Sequence, residues 1–309
     1  MTTPENWERD TLEKLAFAAI KEQKRTRNWG IFFKMLTFIY LFALLFFALE
    51  WIGPGGRSIG SHTALIDLKG EIGDGEAINS DNTISSLQSA FEDKKTKGVI
   101  LRINSPGGSP VQAGIINDEI HRLRQKYPNI PIYAVVEDIC ASGGYYIAVA
   151  ADKIYVDKAS IVGSIGVLMD GFGFTGTMQK LGVERRLMTA GTNKGFMDPF
   201  SPVNPEHKEF AQSMLDNVHQ QFIKVVRDGR GKRLKETPEI FSGLFWSGEK
   251  SVELGLADGL GSSEYVAREV IKEENIVDFT LHEGFADRFA KRFGAAMAHA
   301  LTTTGFALR

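Results

Sequence analysis

The chain has one cysteine among its 309 residues. No intrachain disulfide can therefore staple the fold, whatever the compartment. That residue, Cys140, lies in a small apolar run and is expected to be buried, with nothing nearby in sequence to lower its thiol pKa. Charge of one sign is also lacking: a formal net charge of −2 gives no reason to expect nucleic acid. The six histidines, at 62, 121, 207, 219, 282 and 299, fall in no triad setting. His121 reads onto a polar helix face, His207 near a helix start, and the others as exposed. The nucleophile elbow Gly-x-Ser-x-Gly is missing around Ser142. Gly-x4-Gly-Lys-Ser/Thr is missing too, so ATP use is not indicated.

What stands out against these absences is Ile31 to Leu49, nineteen residues with a single charge, Lys34, near one end. As a helix this run spans about 30 Å of hydrocarbon. Lys34 can snorkel, and Trp29, Tyr40 and Trp51 suit an interfacial belt. The leader before it is long and no small-residue cleavage site follows, which reads as an uncleaved anchor rather than a signal peptide. Arg9, Lys14, Lys21, Lys24, Arg25 and Arg27 precede the run, whereas only Arg57 follows before Lys69. The positive-inside rule then places the N-terminus in the cytoplasm and the remainder outside. Residues 11–22 carry a weak amphipathic helical pattern.

After Gly53-Pro54-Gly55-Gly56, a tether, short apolar runs alternate with helical patterns. Strands are expected at 64–68, 98–103, 132–136 and 153–156, with helices at 81–93, 111–126 and 142–151 between them. The first of these helices would be capped by Asp81 or Asn82. Such alternation implies βαβ units and a mainly parallel sheet covered on both faces. Later segments predict a strand over 184–189 and helices over 205–227, 250–254 and 265–273. Apolar residues at helical spacing over 285–301 predict one more.

Two segments carry candidate chemistry. Ser142, in Ala141-Ser142-Gly143-Gly144, stands where a strand-loop meets a helix start, and the glycines permit close approach of a carbonyl group. Asn104-Ser105-Pro106-Gly107-Gly108 follows the second strand, so in a parallel sheet it would share the same carboxyl-end edge. Backbone donors from two such loops are what an oxyanion hole needs. A serine also needs a base. Lys194 precedes Phe196, Met197 and Phe200, and apolar burial is what can make a lysine neutral enough to serve. Taken alone, Ala-Ser-Gly-Gly is also an ordinary helix start with serine as its cap, and a lysine in a Gly-rich loop is also an ordinary solvated charge.

The run Asp138-x-x-Ala141-Ser142-Gly143-Gly144-Tyr145-Tyr146, then Gly163-Ser164-Ile165-Gly166-Val167, then Lys194 before Asp198-Pro199-Phe200, resembles the bacterial signal peptide peptidase A family. The Asn104–Gly108 turn and Ser247-Gly248-x6-Gly255-Leu256-Ala257-Asp258 resemble it as well. The likeness covers roughly residues 60–270 and is closer to short SohB-like members than to the duplicated long form. It implies a crotonase-like (ClpP-like) α/β fold with a mainly parallel sheet, preceded by one transmembrane helix. It implies Ser142 as nucleophile, Lys194 as general base and Ser164 as the hydroxyl that orients the lysine. Gly107 or Gly108, together with Gly143, would supply the oxyanion N–H groups. No cofactor or metal is implied.

The implied substrates are remnant signal peptides and other membrane-near or unfolded chains. The implied assembly is a ring-like homo-oligomer in which Ser and Lys of one site can come from neighbouring subunits. The implied place is the bacterial inner membrane, single-pass, with the catalytic domain periplasmic or otherwise extracytoplasmic. The expected organisation is a cytoplasmic segment 1–30, an anchor 31–51, a linker 52–62, a protease domain 63–270 and a helical extension 271–309. Ser242-Gly243-Leu244-Phe245-Trp246 departs from the family's frequent Gly-Arg pair, in what reads as a structural region. A degenerate membrane-anchored scaffold and a crotonase-like acyl-thioester enzyme are the alternatives. The intact Ser142, Ser164 and Lys194 argue against the first, and the extracytoplasmic placement against the second.

Overall fold

The computed structural model describes residues 4–50 and 60–281. Trp51, the 53–56 tether and the 285–301 helical pattern lie outside these residues. Helix α1, Pro4–Glu50, has 47 residues, about 70 Å at 1.5 Å per residue. Among the described residues it is the one helix long and apolar enough to cross a membrane. It runs unbroken through the 11–22 pattern into the apolar run. Trp29 packs on Phe32 and Phe33, with ring centroids 5.6 and 5.7 Å apart, at the start of that run.

Residues 60–281 are a separate α/β unit. Its elements are β1 His62–Lys69, α2 Ser80–Glu92, β2 Thr96–Ser105, α3 Pro110–Lys126, β3 Ile132–Ala141, α4 Gly143–Ala148, β4 Lys153–Val156 and β5 Ile161–Gly163, followed by α5 Thr175–Lys180, α6 Pro205–Arg230, β6 Phe245–Ser247, α7 Gly248–Glu253, β7 Gly259–Leu260, α8 Ser263–Tyr265 and β8 Ile276–Asp278. The sheet runs β6-β5-β3-β2-β1-β8, and every pairing is parallel except β5 with β6. β3 is long enough to serve two neighbours: Tyr133–Val135 pair with β4, and Ile139–Ala141 with β5. β7 extends the β4 side.

Apolar strands with side chains alternating between faces bury both sides of the sheet. Ala64, Ile66, Leu68, Val99, Leu101 and Ile103 enter the larger core with Leu87, Ile116 and Ile120. Leu65, Ile100 and Val135 face the other way, onto Val266 and Ala267.

Several boundaries differ from those the sequence predicts, for local reasons. α2 starts earlier because Asn79, not Asp81 or Asn82, is the cap and accepts from Asn82 N–H. α3 follows its cap Ser109 and Pro110, and α6 follows Asn204 and Pro205. The helix expected over 265–273 begins at Ser263 and passes into a π-helical turn, Val266–Ile271. The sheet extends past residue 270, since β8 pairs with β1. The strand expected over 184–189 is not formed; these residues are exposed and irregular, with no neighbouring strand to complete a ladder.

α6 is bolted to the sheet by a buried guanidinium. Arg230, 1% exposed, donates from Nε to Gly255 O at 2.8 Å and from Nη1 to Asp258 Oδ2 at 2.8 Å. Asp258 also accepts from Ile154 N–H at 2.7 Å and from Arg233 Nη1 at 3.0 Å. Burial on its own would raise the Asp258 carboxyl, but the bond and charge of Arg230, the Ile154 N–H and the charge of Arg233 outweigh it and hold it below its ordinary value. A carboxyl so depressed adds stability above about pH 4, and loses it as pH falls through the lower folded value. Asp258→Asn is expected to flatten that acid limb of the stability profile. Asp258→Ala, which strands Arg230 without its counter-charge, is expected to cost about 3–5 kcal/mol in urea unfolding.

Candidate active site

β2 and β3 are adjacent and parallel, with Ser105 paired to Cys140 at their carboxyl ends. The loops that leave them therefore emerge side by side, as the strand order predicts. Ser142 occupies the turn from β3 into α4 with φ 50° and ψ −121°, a sparsely populated conformation for a residue with a side chain. Its N–H donates to Gly163 O at 2.9 Å, which ties the turn to β5. A serine placed there only to start a helix would accept an N–H of the first turn. Ser142 makes no such bond, so the cap reading fails and its half-buried hydroxyl is left for another use.

The glycine turn lies directly against it. Gly107 and Gly108 have φ of 109° and 145°, both in the region that favours glycine. A Cβ on Gly107 would stand 2.6 Å from Ser142 Cβ and 2.8 Å from Gly143 N. One on Gly108 would stand 2.0 Å from Ile72 O. Gly107 N–H is already engaged by Ser105 Oγ at 3.2 Å. Among the described residues no hydrogen bond takes up the N–H of Gly108 or of Gly143. A Cβ on Gly143 would lie 3.4 Å from Gly108 N, so the two unpaired amides lie close together near Ser142. Of the two glycines the sequence leaves open, Gly108 is the one whose N–H carries no hydrogen bond among the described residues.

Ser164 joins this group through its neighbour Gly163. It too has positive φ, 52°, and its N–H donates to Leu244 O at 2.7 Å. The departing segment 242–246 is therefore not remote from the site. Leu244 holds the Ser164 amide, and the Trp246 ring packs on Gly163, where a Cβ would come within 2.9 Å of it.

Lys194 is not brought to Ser142. It lies in an exposed turn, its N–H donating to Gly191 O at 3.1 Å. Among the described residues no hydrogen bond or ion pair links its side chain to Ser142 or Ser164. The apolar neighbours expected to bury it do not do so: Phe196 packs on His207 and Phe210, and Phe200 on Phe174. Residues 167–203 form an arm whose Leu168, Phe172, Leu181, Met188 and Val203 face solvent.

Other candidate groups sort cleanly. Cys140 is fully buried, and burial pushes its thiol pKa far up, so it is no nucleophile. His62, expected to be exposed, is instead buried against Thr96 and stacked on Phe279. His219 is half-buried and bonds to Ile165 O at 3.2 Å. Among the described residues no histidine is hydrogen-bonded to Ser142. No three His, Cys, Asp or Glu side chains among the described residues could hold a metal ion.

Residues 124–277 match peptidase family S49. The chain is 30% identical over 213 residues to a putative protease of Synechocystis, covering 69% of this chain and 74% of that protein. It is 34% identical over 208 residues to a putative signal peptide peptidase SppA of Enterococcus faecium, 67% of this chain and 60% of that protein. It is also 46% identical over 180 residues to a Brucella melitensis protein named Na(+)/H(+) antiporter NhaA, 58% of this chain but only 24% of that protein. The chain thus spans less than two thirds of the enterococcal and Brucella relatives. It belongs to peptidase family S49.

The close approach of Gly108 to Ile72 supplies a direct test of this geometry. Gly108→Ala is expected to displace the turn and to slow labelling of Ser142 by a fluorophosphonate by about 10²-fold or more. Far-UV circular dichroism should stay near that of the wild type.

Proposed function

We propose that the chain is a serine endopeptidase that cleaves peptides through an acyl-enzyme. The observation that carries this reading is Ser142 itself. Its hydroxyl caps nothing, its backbone is strained, and two unpaired amides stand beside it. Strain of this kind costs about 1–3 kcal/mol and persists where surrounding structure over-determines it.

In the proposed sequence a neutral Lys194 amine takes the proton from Ser142 Oγ as the oxygen attacks a peptide carbonyl. The oxyanion is received by the N–H groups of Gly108 and Gly143. The lysine then protonates the leaving amine as the C–N bond breaks. Water attacks the ester, Lys194 again accepting the proton, and the acid is released. Ser164 orients the lysine. No metal or nucleotide takes part.

Within one chain Lys194 is exposed and unlinked to Ser142, and we propose that the base of each site comes from a neighbouring subunit of a homo-oligomer. The apolar side chains of the 167–203 arm support this, since an exposed apolar surface of that kind suits an interface. The family membership and the apolar α1 helix support a ClpP-like protease anchored in the bacterial inner membrane, its N-terminus cytoplasmic and its catalytic unit outside. Remnant signal peptides and other unfolded, membrane-near chains are the proposed substrates.

Ser142→Ala and Lys194→Ala are each expected to abolish peptide hydrolysis, by at least about 10³-fold. Co-assembling the two inactive variants should restore part of the activity, because one class of interface then pairs an intact serine with an intact lysine. Near wild-type turnover by Lys194→Ala alone would sink the dyad, and no recovery on mixing would place both groups in one subunit.

A further inference from the structure

We propose that Ser105 and Ile72 are positioning residues that make Gly108, rather than Gly107, the oxyanion donor. The inference rests on the protease reading above and goes beyond it, because neither residue belongs to the dyad, the orienting hydroxyl or the donor pair.

Two neighbouring peptide units compete for one role in the Pro106–Ser109 turn. Ser105, with its side chain fully buried at the end of β2, removes one of them from the competition: its Oγ accepts Gly107 N–H at 3.2 Å. Ile72, buried in the loop after β1, aims the other. Its N–H donates to Gly107 O at 2.9 Å, and its carbonyl accepts Ser109 N–H at 2.8 Å, a parallel bridge centred on Gly108. In a parallel bridge the central residue's own N–H points away from the partner strand. Gly108 N–H is thereby turned from Ile72 toward the Ser142 side. The Ile72 side chain completes the placement, with Cδ1 3.3 Å from where a Cβ on Gly143 would stand. One residue thus clamps the first donor by its backbone and abuts the second by its side chain. Ser105 reaches the second loop as well, its carbonyl 3.1 Å from the Cβ position of Gly144.

The test uses the full-length chain in detergent. Turnover is expressed per site titrated with a fluorophosphonate and compared with binding of a peptide aldehyde, whose hemiacetal with Ser142 needs the oxyanion donors. Ser105→Ala is expected to lower kcat about tenfold or more with KM within twofold, and to weaken aldehyde binding by the same factor. Ser105→Thr, which keeps the acceptor, should retain kcat. A purely structural role would lower the thermal midpoint while leaving kcat per titrated site unchanged, and would overturn the proposal. So would a loss of kcat without a matching loss of aldehyde binding, or a Thr variant as slow as the Ala variant. If Ser105→Ala does not fold, Ile72→Ala against Ile72→Leu carries the same two measurements, with the loss expected in the Ala variant alone. Ser142→Ala is run beside them. Turnover surviving in Ser142→Ala defeats the protease reading itself, whereas a dead Ser142→Ala beside a wild-type-like Ser105→Ala defeats only the positioning role.

Discussion

Backbone separations shorter than any Cβ would allow hold the carboxyl end of this sheet together. Ile72, the Gly107-Gly108 turn and the Ser142-Gly143 turn meet at distances of 2.0 to 3.4 Å from the positions side chains would fill. The packing leaves each backbone group one direction to point. Gly107 N–H turns to Ser105, Ser142 N–H to Gly163, and among the described residues the neighbouring amides of Gly108 and Gly143 take no partner. Ser142 and Ser164 both have positive φ at this end of the sheet. Ser142 donates its amide to Gly163 O, and Ser164, next to Gly163 in sequence, donates its own to Leu244 O. On the proposed reading, donors held this way need no reorganisation when charge develops on a substrate oxygen, which is what gives preorganised dipoles their effect.

That local rigidity depends on the larger frame. β2 and β3 are buried on both faces and parallel, so their ends cannot slide without moving every side chain in two cores. Arg230 and Asp258 pin the end of α6 to the Gly255–Asp258 loop and, through Ile154 N–H, to β4. Tyr145, in the helix just after Ser142, donates its hydroxyl to Leu256 O in the same loop. The Gly255-Leu256-Ala257-Asp258 motif thus holds both α4, which follows Ser142, and the end of α6.

Those parts of the fold governed by short-range rules were readable in the sequence. The apolar runs over 98–103, 132–136 and 153–156 are strand cores, and alternation with helical patterns does yield a mostly parallel sheet. That the glycine turn and Ser142 share the carboxyl-end edge followed from the parallel character of the sheet. What failed depends on partners distant in sequence. Glu184 to Thr189 has strand-like composition, but a strand needs a neighbour, and the arm has none. Ile161–Gly163 becomes a strand only because the far half of β3 is vacant beside it. His62 reads as a linker residue, yet it is buried because Thr96 and Phe279 close over it. The contact of Gly108 with Ile72, some 35 residues upstream, was not legible either, since its only sequence signal is an isoleucine amid Gly70, Gly73 and Gly75.

The lysine shows the same limit from the side of chemistry. A serine hydroxyl without a base is a poor nucleophile, and a lysine becomes a base only when its surroundings remove water and stabilise the neutral amine. The unit formed by residues 60–281 supplies everything except that environment. It holds Ser142 strained and uncapped, pairs off the Gly107 amide and buries Cys140, while leaving Lys194 in solvent among exposed apolar side chains. The missing burial and the unburied apolar surface are complementary deficits. Association of arms would cover the surface and dry the lysine in one event, by the same apolar area. On the proposed reading, then, assembly is what creates the base, and a lone chain with an intact serine and a formed oxyanion site remains inert.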